Sequence, residues 1–376
     1  MSARRPLPRW ADVALLPALN LLLAFIVSGI VVLIIGQNPI DALRIMIGGA
    51  FGYGEGFGYT LHFATNFVFT GLAVAIAAHA GLFNIGAEGQ AYVAGIGAIL
   101  AALLLDQTHW LLVLPVAVIA AAACGGLWAF VPGYLQAKRG SHVVITTIMF
   151  NFIASALMVY LLNRVLKPVG QMEPSSASVT NAGKIPQLRE FLSFFGYAPV
   201  NVTIIFAILA LIGTYILIWH TKLGFAMRTM GKNPTASRYA GISNSKLIMI
   251  TMTISGALAG LVAVNEVLGV QNRLVLDFPS GYGFVGIAVA LMGRNHPVGI
   301  ALAALLFGAL YQGGLELQFY MPAITREMIV VIQALVILFT GAMEGLLRPG
   351  LETAFMMRRP EDKAEAVARE TATSDS

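Results

Sequence analysis

Gly81-Leu-Phe-Asn84-Ile-Gly86-Ala-Glu88-Gly-Gln90 stands between two apolar runs, at 61–80 and 88–105. Each run is close to the ~20 residues that cross a bilayer core about 30 Å thick. Three glycines, two amides and a carboxylate inside lipid-grade sequence predict a break in a membrane helix. The freed backbone groups and polar side chains must then face a cavity or bond to neighbouring helices.

Outward from this stretch the chain writes one apolar segment after another. Spans are expected at about 15–36, 61–80, 88–105, 110–132, 143–163, 202–219, 246–269, 298–317 and 326–343, with a shorter run at 282–292. Of 376 residues, 58% are hydrophobic and 11% charged, and the mean hydropathy is +0.80. Such a chain cannot hide its apolar surface from water. Arg4, Arg5 and Arg9 lead into an apolar run too long for a cleavable signal, so the first helix is expected to stay. The single Cys124 sits among small residues and excludes an internal disulfide or a cysteine metal site. A pI near 9.3 does not indicate nucleic acid, because the basic residues are spread over loops and form no aromatic-interleaved patch.

The basic residues orient the chain, since Lys and Arg prefer cytoplasmic loops. With ten alternating spans and a cytoplasmic N-terminus, only Arg44, Arg164, Lys167, Lys184, Arg189, Arg273 and Arg326 of the 23 Lys and Arg fall outside. The fold class expected is therefore all-α, a polytopic membrane protein of about ten transmembrane helices. Its helices are broken near 81–90 and 278–286, and both termini are cytoplasmic. Residues 1–14 form the N-terminus, 15–347 the membrane domain and 348–376 a polar tail. Within the membrane domain, 164–200 is the largest external loop and 222–246 a charge-rich cytoplasmic insert.

Motifs that resemble soluble chemistry fail on context. Gly281-Tyr-Gly283-Phe-Val-Gly286 has dinucleotide-loop spacing, but no strand precedes it, Pro279 and Ser280 begin a helix, and lipid-grade sequence follows. Its small residues, like the glycines between Gly52 and Gly58, are read as close helix packing. Gly224 to Lys232 ends like a phosphate loop, yet its glycines are too far apart and Asn233 replaces the magnesium-binding hydroxyl. The six histidines have no glutamate-linked i,i+4 pair, which leaves a zinc hydrolase without support. No catalytic or metal-ligating residue and no cofactor is expected. Asn201-Val-Thr203 is read as an accidental glycosylation sequon.

Polar residues within the spans are more informative. A charged group near the bilayer centre costs at least about 2.5–3.5 kcal/mol unless it faces protein or water. Asn84, Glu88 and Gln90 either line a translocation route or tie the helix break together. Asn66, Asn151, Asn265, Glu266 and Gln333 are further interior candidates, as helix-to-helix glue or as ligand contacts. Phe278 and Tyr282 could stack on a base or sugar ring, or anchor a membrane interface.

In the insert, Asn233-Pro234 is expected to open a short helix, with Pro at its first turn, and Ala236, Ala240 and Gly241 permit close approach. The run Arg228-Thr-Met-Gly231-Lys-Asn233-Pro234-Thr-Ala236 to Gly241, followed by Ser255-Gly256-Ala-Leu-Ala-Gly260, resembles the coupling region of ABC importer permeases of the sugar, nucleoside and branched-chain amino-acid type. Gly81 to Gln90 resembles the same family's first-half motif, in wording most similar to the nucleoside and simple-sugar branch. The resemblance covers roughly residues 60–345. It implies that Gly224, Arg228, Gly231, Asn233, Pro234, Ala236, Ala240 and Gly241 couple to an ATPase. The partners implied are two ATPase subunits that bind the ATP, a second permease (a related shorter chain or a second copy), an external substrate-binding protein and the lipid bilayer. A nucleoside path in the inner membrane is the expected function, with sugars or branched-chain amino acids as alternatives. An ion-coupled secondary transporter is the rival, but only Glu88 and Glu266 are available as embedded carboxylates for it.

Overall fold

The computed structural model describes residues 8, 11, 15–180, 183–342 and 351. The expected N-terminal segment 1–14 and tail 348–376 lie, apart from residues 8, 11 and 351, outside the described residues. Two compact units divide the chain. One comprises 1–42 with 321–376, the other 43–320.

The helices run in chain order as α1 (Leu16–Ile34), α2 (Pro39–Phe51), α3 (Gly54–His79), α4 (Ala87–Leu105), α5 (Trp110–Arg139), α6 (Val143–Arg164), α7 (Thr203–His220), α8 (Lys222–Lys232), α9 (Pro234–Tyr239) and α10 (Asn244–Gly260). A π-helical stretch, Val264–Gln271, continues α10. Then follow α11 (Tyr282–Met292), α12 (Pro297–Tyr320) and α13 (Arg326–Ala342). Among the described residues the only strand-like pairings are two isolated bridges. Among the described residues seven helices are long and apolar enough to cross a membrane, or up to eight if the bent pair Ala18–Ile34 and Pro39–Phe51 is one span. The chain is thus all-helical, with seven to eight apolar candidate spans.

In the smaller unit α1 packs on α13. In the larger unit the most extensive helix pair is α5 with α10, and small residues explain it. A methyl group on Gly256 would sit 2.3 Å from the carbonyl oxygen of Gly125, so the two backbones touch directly. Lipid tails are as apolar as leucine, so helices in a membrane gain by such close contact rather than by hiding apolar surface. Outward faces stay apolar, with Ile119, Leu127, Phe152 and Leu104 all more than half exposed.

Several boundaries differ from the sequence expectation. The helix α2 falls in a stretch read as loop. The fifth helix runs past Pro132 to Arg139, where Lys138 and Arg139 occupy its last turn and Gly140 closes it in a left-handed conformation. The insert carries a complete helix, α8, before the expected short one, because Thr221 caps it by accepting from the Gly224 N–H at 3.0 Å. The helix expected from Pro279 starts at Tyr282 instead, after Gly281 at φ 87°.

Candidate translocation route and coupling segment

Helix α3 ends at His79, and Gly81, at φ 73°, turns the chain back. Residues 82–86 then run non-helically into α4. A backbone without helical bonds needs other partners, and the amides of the quoted stretch supply them. The Asn84 Nδ2 donates to Gln90 Oε1 at 3.0 Å and to Ser255 Oγ at 2.8 Å. Its Oδ1 accepts from the Gly86 N–H at 2.8 Å and from Gln90 Nε2 at 3.1 Å. On α6, Asn151 donates to the Ile85 carbonyl and accepts from the Gly89 N–H, both at 2.9 Å. Asn84 and Gln90 are fully enclosed.

The second break lies between the π-helical stretch and α11. Asn272, Asp277 and Ser280 all have positive φ, a conformation that costs non-glycine residues about 1–2 kcal/mol each. Fastenings to the 164–200 segment and to α4 hold it there. Ser176 accepts from the Leu274 N–H at 2.9 Å, the Val179 N–H donates to the Asn272 carbonyl at 2.8 Å, and the Asp277 N–H donates to the Tyr92 hydroxyl at 2.8 Å.

Glu88 joins the two breaks. The N–H groups of Gly281 and Gly283 donate to its Oε1 and Oε2, each at 2.7 Å. One carboxylate thus occupies the first turn of its own helix and the N-terminus of α11, where a negative charge is favoured. The approach needs glycine. A methyl on Gly283 would lie 2.2 Å from the Glu88 backbone nitrogen. At the other end of α11, the Asn295 carbonyl meets His79 Nε2 at 3.0 Å. Eleven residues span ~16 Å, about half of the ~30 Å core. At the Glu88 junction the first break, at 82–86, meets the N-terminal end of α11, directly after the second.

Beside the junction is a second polar cluster. Glu266 Oε1 accepts from Asn66 Nδ2 at 2.5 Å and pairs with His62 Nε2 at 3.0 Å. Asn265 donates to Asn66 Oδ1 at 2.8 Å and reaches His62 Nδ1 at 3.3 Å, while Asn201 donates to Asn265 Oδ1 at 2.8 Å. This assigns His62 a proton on Nε2, donated to the carboxylate. All five side chains are buried. Tyr282 packs edge-on to Phe67 at 5.6 Å, and Phe63 and the half-buried Tyr311 stand at 5.6 Å from each other. Phe278 instead lies enclosed against Tyr92, also at 5.6 Å.

Of the residues singled out from sequence, Asn84, Gln90 and Asn151 are thus brought together at the first break. Glu88 and Tyr282 stand at the junction, and Asn66, Asn265 and Glu266 form one cluster. Gln333 lies on α13, in the other unit. Sequence reading missed His62, Ser255, Tyr311 and Asn201 as members. In sequence His62 stands out only against a zinc-ligand pattern, and Asn201, 1% exposed, only as part of a sequon. No local pattern links residues some 200 positions apart.

The insert packs on the first break. A methyl on Gly231 would sit 2.3 Å from the His79 carbonyl oxygen, and Met227 and Met230 are buried among Ile76, Ala77, Ala80 and Leu82. Gly224 is buried and Arg228 half-buried. Asn233 caps α9, accepting at Oδ1 from the N–H groups of Thr235 and Ala236 at 3.0 Å. Pro234, Ala236, Ala240 and Gly241 are exposed, and Tyr239 is 91% exposed. Asn244 ties α9 to α10, donating to the Pro234 carbonyl at 2.9 Å and accepting from Ser237 Oγ at 2.6 Å. Ser245 donates to the Ala137 carbonyl of α5 at 3.2 Å. A push on α9 therefore has rigid connections to two long helices.

Residues 57–341 match the model of the branched-chain amino acid transport system / permease component family. The chain belongs to that family. Within it the chain is 36% identical over 334 residues to the guanosine ABC transporter permease protein NupP of Bacillus subtilis, covering 87% of this chain and 93% of that one. It is 34% identical to the nucleoside ABC transporter permease protein NupB of Lactococcus lactis over 86% and 90% of the two chains. It is 33% identical to the glucose ABC transporter permease protein TsgB13 of Haloferax volcanii over 97% of both. As a member of this family the chain is a multi-pass inner-membrane permease subunit of an ABC importer, a class of transport subunit that works with ATPase and substrate-binding partners.

Proposed function

We propose that this permease forms half of a path for nucleosides, driven by two separate ATPase subunits that bind at α9 and supplied by an external binding protein. The observation that carries the coupling part is the geometry of the insert. A bare, capped helix is bolted through Asn244 to α10, while its companion α8 is seated without a gap on the Gly81 turn. The nucleoside part rests on the likeness to NupP, a guanosine ABC transporter permease protein, and NupB, a nucleoside ABC transporter permease protein.

In this reading ATP-driven closure of the motor subunits moves α8 and α9. The Gly81 turn follows α8, and Glu88 carries the displacement to the N-terminus of α11. The solute passes beside Tyr282, Phe63 and Tyr311, which offer ring faces to a base or sugar. Counting α11 and α13 with the eight longer candidates makes ten spans, with both termini and α9 in the cytosol and 164–200 outside. The chain pairs with a second permease, a related shorter chain or a second copy, and carries no cofactor of its own. The membrane domain spans 15–347, flanked by cytoplasmic ends.

The test is uptake into proteoliposomes holding the complete complex with its binding protein. Labelled guanosine should accumulate with ATP and exceed glucose and leucine in direct competition. Glucose accumulation that guanosine leaves unaffected would transfer the reading to a sugar, the second reading that the likeness to TsgB13 favours. Uptake that persists without the ATPases and collapses with a proton uncoupler would replace both by ion coupling.

A further inference from the structure

Between α7 and the start of α12 runs an apolar groove of about 520 Å³. That is the size of clefts that hold small molecules, which run to roughly 300–1,000 Å³. Ile208, Ile212 and Tyr215 form one wall, and His296, Val298 and Ala301 the other. Ile208, Ile212 and Val298 are each more than half exposed.

One end of the groove is chemically different from the rest. Tyr215 stacks on Trp219 at 5.3 Å, Trp219 lies 5.0 Å from His296, and His220 lies 5.3 Å from Tyr215. Tyrosine and tryptophan of this kind mark the level of the lipid headgroups. His220 and Lys222, both exposed, follow Trp219 directly in the chain, and exposed Arg294 stands two residues before His296. His296 Nδ1 accepts from the Val298 N–H at 3.3 Å, which leaves its Nε2–H as the outward donor.

Acidic residues are absent from the two stretches of sequence that form the groove. Not one Asp or Glu occurs between Glu190 and Glu266, nor between Asp277 and Glu316. An apolar slot closed at its headgroup end by histidine and lysine donors matches one occupant in both halves. The acyl chain lies against Ile208 and Ile212, and the phosphate meets His220, Lys222 and His296.

We infer that this groove is a binding site for an anionic phospholipid, at the membrane end that carries α8 and α9. The inference rests on the proposed orientation only for the leaflet, which is the cytosolic one. Because His220 and Lys222 lead directly into α8, the bound phosphate braces the hinge at which the insert leaves the membrane.

The experiment uses the full permease–ATPase complex, equilibrated with vesicles of phosphatidylcholine and phosphatidylglycerol in equal amounts, extracted in mild detergent and weighed by native mass spectrometry. Wild-type protein should retain phosphatidylglycerol in preference to phosphatidylcholine. Lys222→Gln should weaken that preference about fivefold, the equivalent of roughly 1 kcal/mol for one cation near an anionic surface. Ala301→Trp, which fills the slot, should lose the retained lipid whatever its headgroup, whereas Leu104→Trp on another exposed face should not. Ala301→Leu serves if the tryptophan variant does not elute as a folded complex on size exclusion.

Equal retention of the two lipids by wild type, or undiminished retention by the filled groove, overturns the inference. Dissociation of the second permease by Ala301→Trp also overturns it, because a protein chain would then be the occupant. The leaflet is read separately, by impermeant thiol labelling of Tyr239→Cys in a Cys124→Ala background. An error in orientation is thereby distinguished from an error about the lipid.

Discussion

The two helix breaks of this permease solve the same problem by opposite means. At 82–86 the backbone is stitched by neutral amides, with Asn84, Gln90 and Asn151 each making two or more bonds, and the one left-handed residue is a glycine, Gly81. At 272–281 three non-glycine residues carry positive φ, and the stretch is held by the 164–200 segment, by Tyr92 and by Glu88. The first break is relaxed and joined to the insert. The second is strained and joined to the 164–200 segment. A strained segment persists only where its surroundings over-determine it, so the second break is the one poised to change shape when a fastening is lost.

Variants can break this comparison in graded steps. The largest effect is expected from Gly283→Ala, because the new methyl meets the backbone of Glu88 and neither chain can give way. Thermal unfolding in detergent should show a loss of about 3 kcal/mol or more. A near-wild-type melting curve would mean that the two breaks are not in direct contact.

Next in size is Glu88→Gln, whose amide can satisfy only one of the two N–H donors, at a cost of about 1–3 kcal/mol for the one left unpaired. Uptake should fall with it. Full uptake in this variant would remove the junction from the transport cycle. Asn84→Ala should cost about 1–2 kcal/mol, but its damage should stay at the first break. Hydrogen exchange should rise at 82–90 while 272–281 is unchanged, and a rise in both would mean the breaks act as one unit. The smallest effect is expected from Asp277→Gly, which relieves a left-handed aspartate and should stabilise the protein by about 0.5 kcal/mol. Destabilisation by this change would show that the strain at the second break has been misread.

The membrane class, the apolar spans and the position of the first break were legible because each is a local property. A polar interruption in lipid-grade sequence is costly wherever it occurs. The short helix after Asn233 was legible for the same reason, since an N-cap followed by proline acts over three residues. Helix α2 was not, because its glycines and moderate hydropathy lower every local signal for a span. Helix α8 was hidden by the charges that make it look like a loop, since its seating on the Gly81 turn depends on residues about 150 positions away.

By itself the sequence determined that the chain is a membrane protein with long apolar helices and that the polar groups within them must find partners, because transfer of an unpaired polar group into hydrocarbon is prohibitive whatever the fold. Only the tertiary structure decided who those partners are. Glu88 meets two N–H groups 193 and 195 residues further on, and Glu266 meets His62 and Asn66 from a helix some 200 residues earlier. Hydrogen bonds are directional and short, so their pairing is fixed by how the helices pack, and small residues scattered along the chain set that packing.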